Sequence, residues 1–356
     1  VPLRYQSRMS LNLMFSKSRG ALVLATYLAV MSTAGCTSIS QTVTQLMSDP
    51  VQTNVLSGRE GENGPVLVVK IDDTRYARPQ IGLEFADVVY IEQVEGGLTR
   101  LAAVFSSTIP PRIGPVRSAR ISDIELFAQY GRVAFAYSGA QKKLLPVIAG
   151  ANWSDVGAMR RGPVFYETDP NRNQPFAMIL NAQTLMANEV SKGTVIDSAK
   201  NVGWTFSKKL ENQGFEISDV TVNWPAQNYS AVWDPTSMRW LLSVNSVPDL
   251  SDTGQNLGPT TLVIQMVSIT PSEYGDKFGG NTPFSQTVGS GKGYVLRDST
   301  VIAATWNRAD PLSPTTWTDA TGAEVKFAPG QVWVALTDQE PEFTRKVASA
   351  PTSTSK

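Results

Sequence analysis

The sequence predicts an α+β protein, a mixed α/β N-terminal domain followed by a β-rich C-terminal domain, and two observations carry that expectation. Up to about residue 195, apolar runs of strand length alternate with segments in which apolar residues recur at helical spacing. Beyond Asn201 the chain breaks into short β-prone runs divided by Gly, Pro, Asn and Asp, and seven of the eight tryptophans lie there. The pattern divides the chain into a signal peptide (1–35), a flexible tether rich in Ser, Thr, Gln, Asn and Gly (36–64), a first domain (65–195), a second domain (200–338) and a Ser/Thr/Ala/Pro tail (343–356) expected to be disordered.

The N-terminal assignment rests on order. Lys17 and Arg19 form a basic stretch, residues 21–30 an apolar run of signal-peptide length, and Ser32-Thr-Ala-Gly35 lead into Cys36. The run is short for a membrane span, which needs about 20 residues. The junction resembles the lipobox of bacterial lipoproteins, with Thr33 where an aliphatic residue is usual. That resemblance implies acylation of Cys36, palmitate included, and a body held on the outer face of the cytoplasmic membrane. Residues before Met9 read as an upstream extension, and Val1 suits an alternative start codon.

In the first domain, residues 66–72 read as a buried strand. Residues 87–94 and 98–105 read as two more, joined into a hairpin by Glu95-Gly-Gly97. Ile121, Ile124, Phe127 and Ala128 place a helix over 119–130, with Ser118 as its N-cap. A fourth strand over 132–138 follows, then helices over 141–149, weakened by Pro146, and over 179–191. In the second domain, Gly289-Ser-Gly-Lys-Gly293 lacks the earlier glycine and the Ser/Thr of a phosphate loop, so it reads as a glycine-rich hairpin between Val288 and Tyr294. The tryptophans read chiefly as core anchors.

Composition narrows the chemistry. There is no histidine, which excludes a Ser-His-Asp triad, a histidine base and His-containing zinc sites. Cys36 is the lone cysteine, so the body has no internal disulfide and no thiolate metal site, and neither cofactor nor metal is expected. Lys+Arg and Asp+Glu stand at 31 each, so no global charge bias favours nucleic acid, and attachment to a membrane rests on the lipid anchor.

The segments Ala77-Arg-Pro-Gln-Ile-Gly82, Ala86-Asp-Val-Val-Tyr90, Glu95-Gly-Gly-Leu-Thr-Arg100 and Gly114-Pro-Val-Arg-Ser-Ala-Arg120 are the densest motifs. Gly289-Ser-Gly291, Ala304-Thr-Trp306 and Pro329-Gly-Gln-Val-Trp333 add a weaker set. Together they resemble the YerB-like lipoproteins, a domain-of-unknown-function family of bacterial cell-surface proteins, over most of residues 65–337. The resemblance implies an N-terminal and a C-terminal domain and carries no established activity. Family members often have Pro-His-Asn where this chain reads Pro175-Phe-Ala, and a histidine where it has Tyr137. Chemistry resting on those histidines would be absent here.

Two readings of the arginines stay open. With Ser118 capping a helix, Arg117 and Arg120 at its mouth and Arg100 on the preceding strand would form an anion site. Alternatively they pair with Glu92, Glu95 or Asp123 and lock the hairpin against the helix. Glu95, Glu92 and Asp72 are the acid/base candidates, and Asp72-Asp73 with Glu92 could hold a hard cation through oxygen ligands. The leading expectation is a non-enzymatic, membrane-anchored extracytoplasmic lipoprotein that binds an anionic cell-wall polymer or an envelope protein. The rival is a carboxylate-dependent hydrolase acting on cell-wall glycan.

Overall fold

A computed structural model describes residues 51–275 and 279–346. The signal segment, Cys36 and the end of the tail lie outside the described residues. The fold belongs to the unit that begins at Gln52.

The first half supplies strands β1 (Leu67–Asp72), β2 (Val88–Gln93), β3 (Thr99–Phe105), β4 (Arg112–Ile113), β5 (Ala134–Ala136), β6 (Ser154–Asp155), β7 (Tyr166–Thr168) and β8 (Met178–Asn181). Its helices are α1 (Ser122–Ala128), α2 (Leu145–Ala149), α3 (Ala158–Arg161) and α4 (Ala182–Ser191). The second half is strand throughout: β9 (Phe215–Trp224), β10 (Gln227–Asp234), β11 (Arg239–Val244), β12 (Val247–Pro248), β13 (Thr261–Met266), β14 (Ile269–Gly275), β15 (Asn281–Ser285), β16 (Gly289–Arg297), β17 (Thr300–Arg308), β18 (Thr316–Asp319), β19 (Val332–Thr337) and β20 (Glu342–Arg345). Sheet therefore dominates, and helices are few and short.

One mixed sheet runs through both halves in the order β12-β11-β10-β9-β17-β16-β13-β19-β2-β3-β1-β5-β6. The seam is the parallel pairing of β19 with β2, Val332 opposite Val88 through Ala335 opposite Ile91. Beside it, the β2–β3 hairpin and β1 pair antiparallel. Strands β1, β3 and β19 are buried along their whole length, and β2 along all but its last residue, as strands covered on both faces must be. One face carries Leu67, Val69, Ile71, Leu101, Ala103 and Phe105 into a core shared with Trp240 and Trp333. The other carries Val68, Tyr90, Ala102 and Val104 against Phe127 of α1 and against Val263, Val295 and Val334 from the second half.

Several expectations change. Residues 53–64, placed in the tether, are packed: Leu56 and Ser57 are fully buried and Thr53 bridges to Glu60. Residues 343–345 of the presumed tail lie in β20. The start of the helix expected over 179–191 is strand β8, because Ile113 and Tyr166 both pair with Leu180. The hairpin expected at 289–293 is instead the first half of β16, paired with β17 from Gly289 opposite Arg308 onward. The glycines there are seats for rings: a Cβ on Gly291 would meet the Trp306 indole at 2.7 Å, and one on Gly293 the Trp317 ring at 2.8 Å.

Candidate functional site

The site arises from a change of character along three strands. On the face turned to α1, each strand runs from apolar to charged toward the same end: Val68, Lys70, Asp72 on β1; Tyr90, Glu92 on β2; Val104, Ala102, Arg100 on β3. Cross-strand pairing sets Asp72 and Glu92 on either side of Arg100. Deeper in, Lys70 is fully buried between Glu92 and Asp123, its Nζ 2.7 Å from Asp123 Oδ1. Burial lowers the Lys70 ammonium to about 8 against the pull of Asp123.

At the charged end lies a cavity of about 760 Å³, lined by Asp72, Thr74, Glu95, Leu98, Arg100, Arg117, Ser118, Arg120 and Lys142 among others. Arg100, Arg117, Ser118 and Arg120, four positions far apart on the chain in the case of Arg100, are thus brought together, with two of the three acid/base candidates. Glu92 is not among them, being sealed beneath the sheet end with Lys70. Lys142, which sequence reasoning passed over, completes the lining; it sits before a short helix with no pattern to mark it.

Each arginine is held differently. Arg120 donates from Nε and Nη2 to Glu95 Oε2 at 3.0 and 2.6 Å, and from Nη1 to the Ala119 carbonyl. Glu95 also accepts from the Thr282 hydroxyl. Burial alone would raise the Glu95 carboxyl, but the Arg120 charge and these hydrogen bonds bring it below the usual carboxylate range, so it is an anion at neutral pH. Arg117 Nε lies 2.6 Å from Asp72 Oδ2 without the alignment of a hydrogen bond, so the contact is Coulombic. The locking role foreseen for the arginines is therefore filled by Arg120 with Glu95.

Arg100 differs from both. Its side chain is 7% exposed, its Nη1 donates to the Ser118 carbonyl at 3.0 Å, and its Nε has no hydrogen-bond partner among the described residues. No carboxylate lies within ion-pairing distance of it among those residues. Burial first, then the charges of Arg120 and Arg117 against Asp72, lower the guanidinium to about 9. Arg100, Arg117, Arg120 and Lys142 outnumber Asp72 and Glu95 by four to two, so the cavity carries an excess of two positive charges.

Two expected features are corrected. Ser118 does not cap the helix: α1 starts at Ser122 after Ile121, and Ser118 Oγ faces Ser138 Oγ at 3.4 Å. The first turn carries Asp123 and Glu125, and Asp123 Oδ2 reaches back to accept the Arg120 N–H at 2.6 Å, so a carboxylate already stands at the helix mouth. The Asp72-Asp73 pair does not converge either. Asp72 faces the cavity, whereas Asp73 is buried on the far side and accepts from Arg78, Thr99, Gln227 and Tyr229. Successive strand residues point to opposite faces, which is why the two cannot share a cation.

What the fold and site define is a mixed-sheet protein with a cationic cavity at the end of its central hairpin. Residues 53–195 match the description "Protein of unknown function (DUF3048) N-terminal domain" and residues 220–334 its C-terminal domain. The chain belongs to this family. It is 24% identical over 292 residues to a Bacillus subtilis (strain 168) protein named "Putative lipoprotein YerB", covering 77% of this chain and 81% of that one. The crystal structure of YerB protein from Bacillus subtilis superposes with a TM-score of 0.70 at 19% identity, covering 83% of this chain and all of that one, which shows a shared fold.

Proposed function

We propose that this chain is a lipid-anchored extracytoplasmic protein of the cell envelope that binds an anionic ligand, a cell-wall polymer or a partner's acidic segment, in the cavity around Arg100. Arg100 carries the reading. A buried guanidinium with an idle N–H and no paired carboxylate is costly to a fold, and a ligand anion would supply the missing partner. Arg117 and Lys142 stand at the same cavity with side chains open to solvent, so they can join it.

Substituting Arg117 by Lys keeps its charge and removes the guanidinium fork, leaving the Arg120–Glu95 lock in place. Binding of purified anionic wall polymer should fall by about tenfold, roughly 1.4 kcal/mol, with the thermal midpoint little changed. Unchanged affinity in a folded variant would sink the reading.

The anchor is supported by the relative's name and by the run from Lys17 to Cys36. No helix among the described residues is long and apolar enough to cross a membrane. Cys36→Ser should abolish uptake of a fatty-acid analogue in growing cells. Equal labelling of variant and wild type would remove Cys36 as the lipidation site.

A further inference from the structure

A second hollow, of about 530 Å³, is lined by Tyr76, Phe176, Asn171, Asn173, Arg172 and Arg78 among others. Its floor is aromatic. Tyr76 and Phe176 stack with ring centroids 5.5 Å apart and planes at 29°. Tyr76 is 59% exposed, the largest ring so placed among the exposed apolar side chains of the described residues. A stack with Tyr76 exposed and Phe176 half-buried is poor use of apolar surface in a fold that buries Trp224, Trp240, Trp306, Trp317 and Trp333 almost completely.

The platform is fixed in place. Arg172 donates to the Ala77 carbonyl at 2.8 Å and the Pro79 carbonyl at 2.6 Å, while its Nε pairs with Asp169 at 3.1 Å. One side chain thus ties the loop carrying Phe176 to the segment carrying Tyr76. The platform also lies near a wall residue of the cationic cavity. Arg117, which lines the cavity, has its guanidinium carbon 5.8 Å from the Phe176 ring centroid, and Thr74, on the cavity wall, is two residues from Tyr76.

Resting on the anion reading above, we propose that the ligand is an anionic saccharide: its charged substituent sits in the cavity against Arg100 and Arg117, and a neighbouring sugar ring lies on Tyr76–Phe176. The two rings stack on each other and so offer one flank, not a slot between parallel planes. That suits the apolar face of a sugar ring approached from one side. The exposed amides of Asn171 and Asn173 at its edge supply donors and acceptors for hydroxyl groups. Arg75, which lies 4.6 Å from the Tyr76 ring centroid and hydrogen-bonds its hydroxyl, is itself exposed and is the side chain a sugar would displace.

The test titrates the full chain with tetragalacturonate, chitotetraose, tripolyphosphate and ATP, each against wild type, Tyr76→Ala, Phe176→Leu and Arg117→Ala. Tetragalacturonate should bind wild type more tightly than the other three. Tyr76→Ala, at an exposed position, should weaken it by about fivefold or more and leave tripolyphosphate binding unchanged, whereas Arg117→Ala should weaken both. Phe176→Leu should weaken tetragalacturonate in the same direction as Tyr76→Ala. If tripolyphosphate matches tetragalacturonate and Tyr76→Ala alters neither, the saccharide assignment is overturned while the anion site stands. Equal binding of chitotetraose, or Tyr76-dependent binding of ATP instead, also overturns it. If no anion binds, both readings fall together.

Discussion

Arg78 ties two buried carboxylates, Asp73 and Asp249, whose carboxyls burial raises, and Asp249 shows how this makes stability depend on pH. Its Nε donates to Asp249 Oδ1 at 3.0 Å and its Nη2 to Asp73 Oδ1. Asp249 is fully buried, and its second oxygen has no hydrogen-bond partner among the described residues. Burial raises its carboxyl to about 7, against the pull of Arg78 and with the push of Asp73. The folded chain therefore keeps a proton over a window, from about 4 to about 7, in which the unfolded chain has released it, so this group's contribution to stability declines as pH rises through that window. Lys70, lowered to about 8, acts only above it. Asp249→Asn removes the titration while keeping a side chain of the same shape. The variant should gain on wild type as pH rises from 5 to 8, by about 1–3 kcal/mol overall. Urea unfolding of both proteins at each pH reads this difference, and a flat difference would refute it.

At the scale of elements, what was legible in the sequence was what local pattern controls. Apolar runs of strand length marked β1, β2 and β3 to within a residue or two, and Glu95-Gly-Gly97 marked the β2–β3 hairpin, with Gly96 and Gly97 at φ of 70° and 72°. What failed was decided by distant partners. Ser118 looks like an N-cap, yet Arg117 N–H donates to the Lys70 carbonyl and Ala119 N–H to the Gly139 carbonyl, which holds 117–119 extended and delays α1 to Ser122. The glycines of β16 look like a turn until Trp306 and Trp317 arrive to cover them. The site shows the same division. Arg/Gly motifs pointed at Arg100, Arg117, Arg120 and Glu95, all of which reach the cavity, whereas the partners that tell a locked arginine from an idle one are spread from Asp72 to Thr282. Tyr76 and Phe176 carry no local signature at all, since a hundred residues separate two rings that touch.

At the scale of the whole fold, the regions matched as N- and C-terminal domains are halves of one sheet, and that has a thermodynamic consequence. Separating them would open the β2–β19 ladder and strip partners from buried polar groups on both sides. Gln331 Nε2 donates to the Leu83 and Ala86 carbonyls, Gln227 and Tyr229 donate to Asp73, Arg308 donates to the Glu125 carbonyl, and Glu125 accepts the N–H groups of Thr287 and Val288. Each buried group left unpaired costs about 1–3 kcal/mol, so a handful of these losses equals the 5–15 kcal/mol that holds a whole domain folded. An intermediate with one half intact is then too high in energy to accumulate, although chains of this size more often unfold in stages. Strands β1–β3 and strands β13, β16 and β19 should lose hydrogen-exchange protection at one shared denaturant midpoint. Pulse labelling with peptide-level mass spectrometry resolves the two regions. Separate midpoints for residues 66–105 and 261–337 would show that the seam does not couple them.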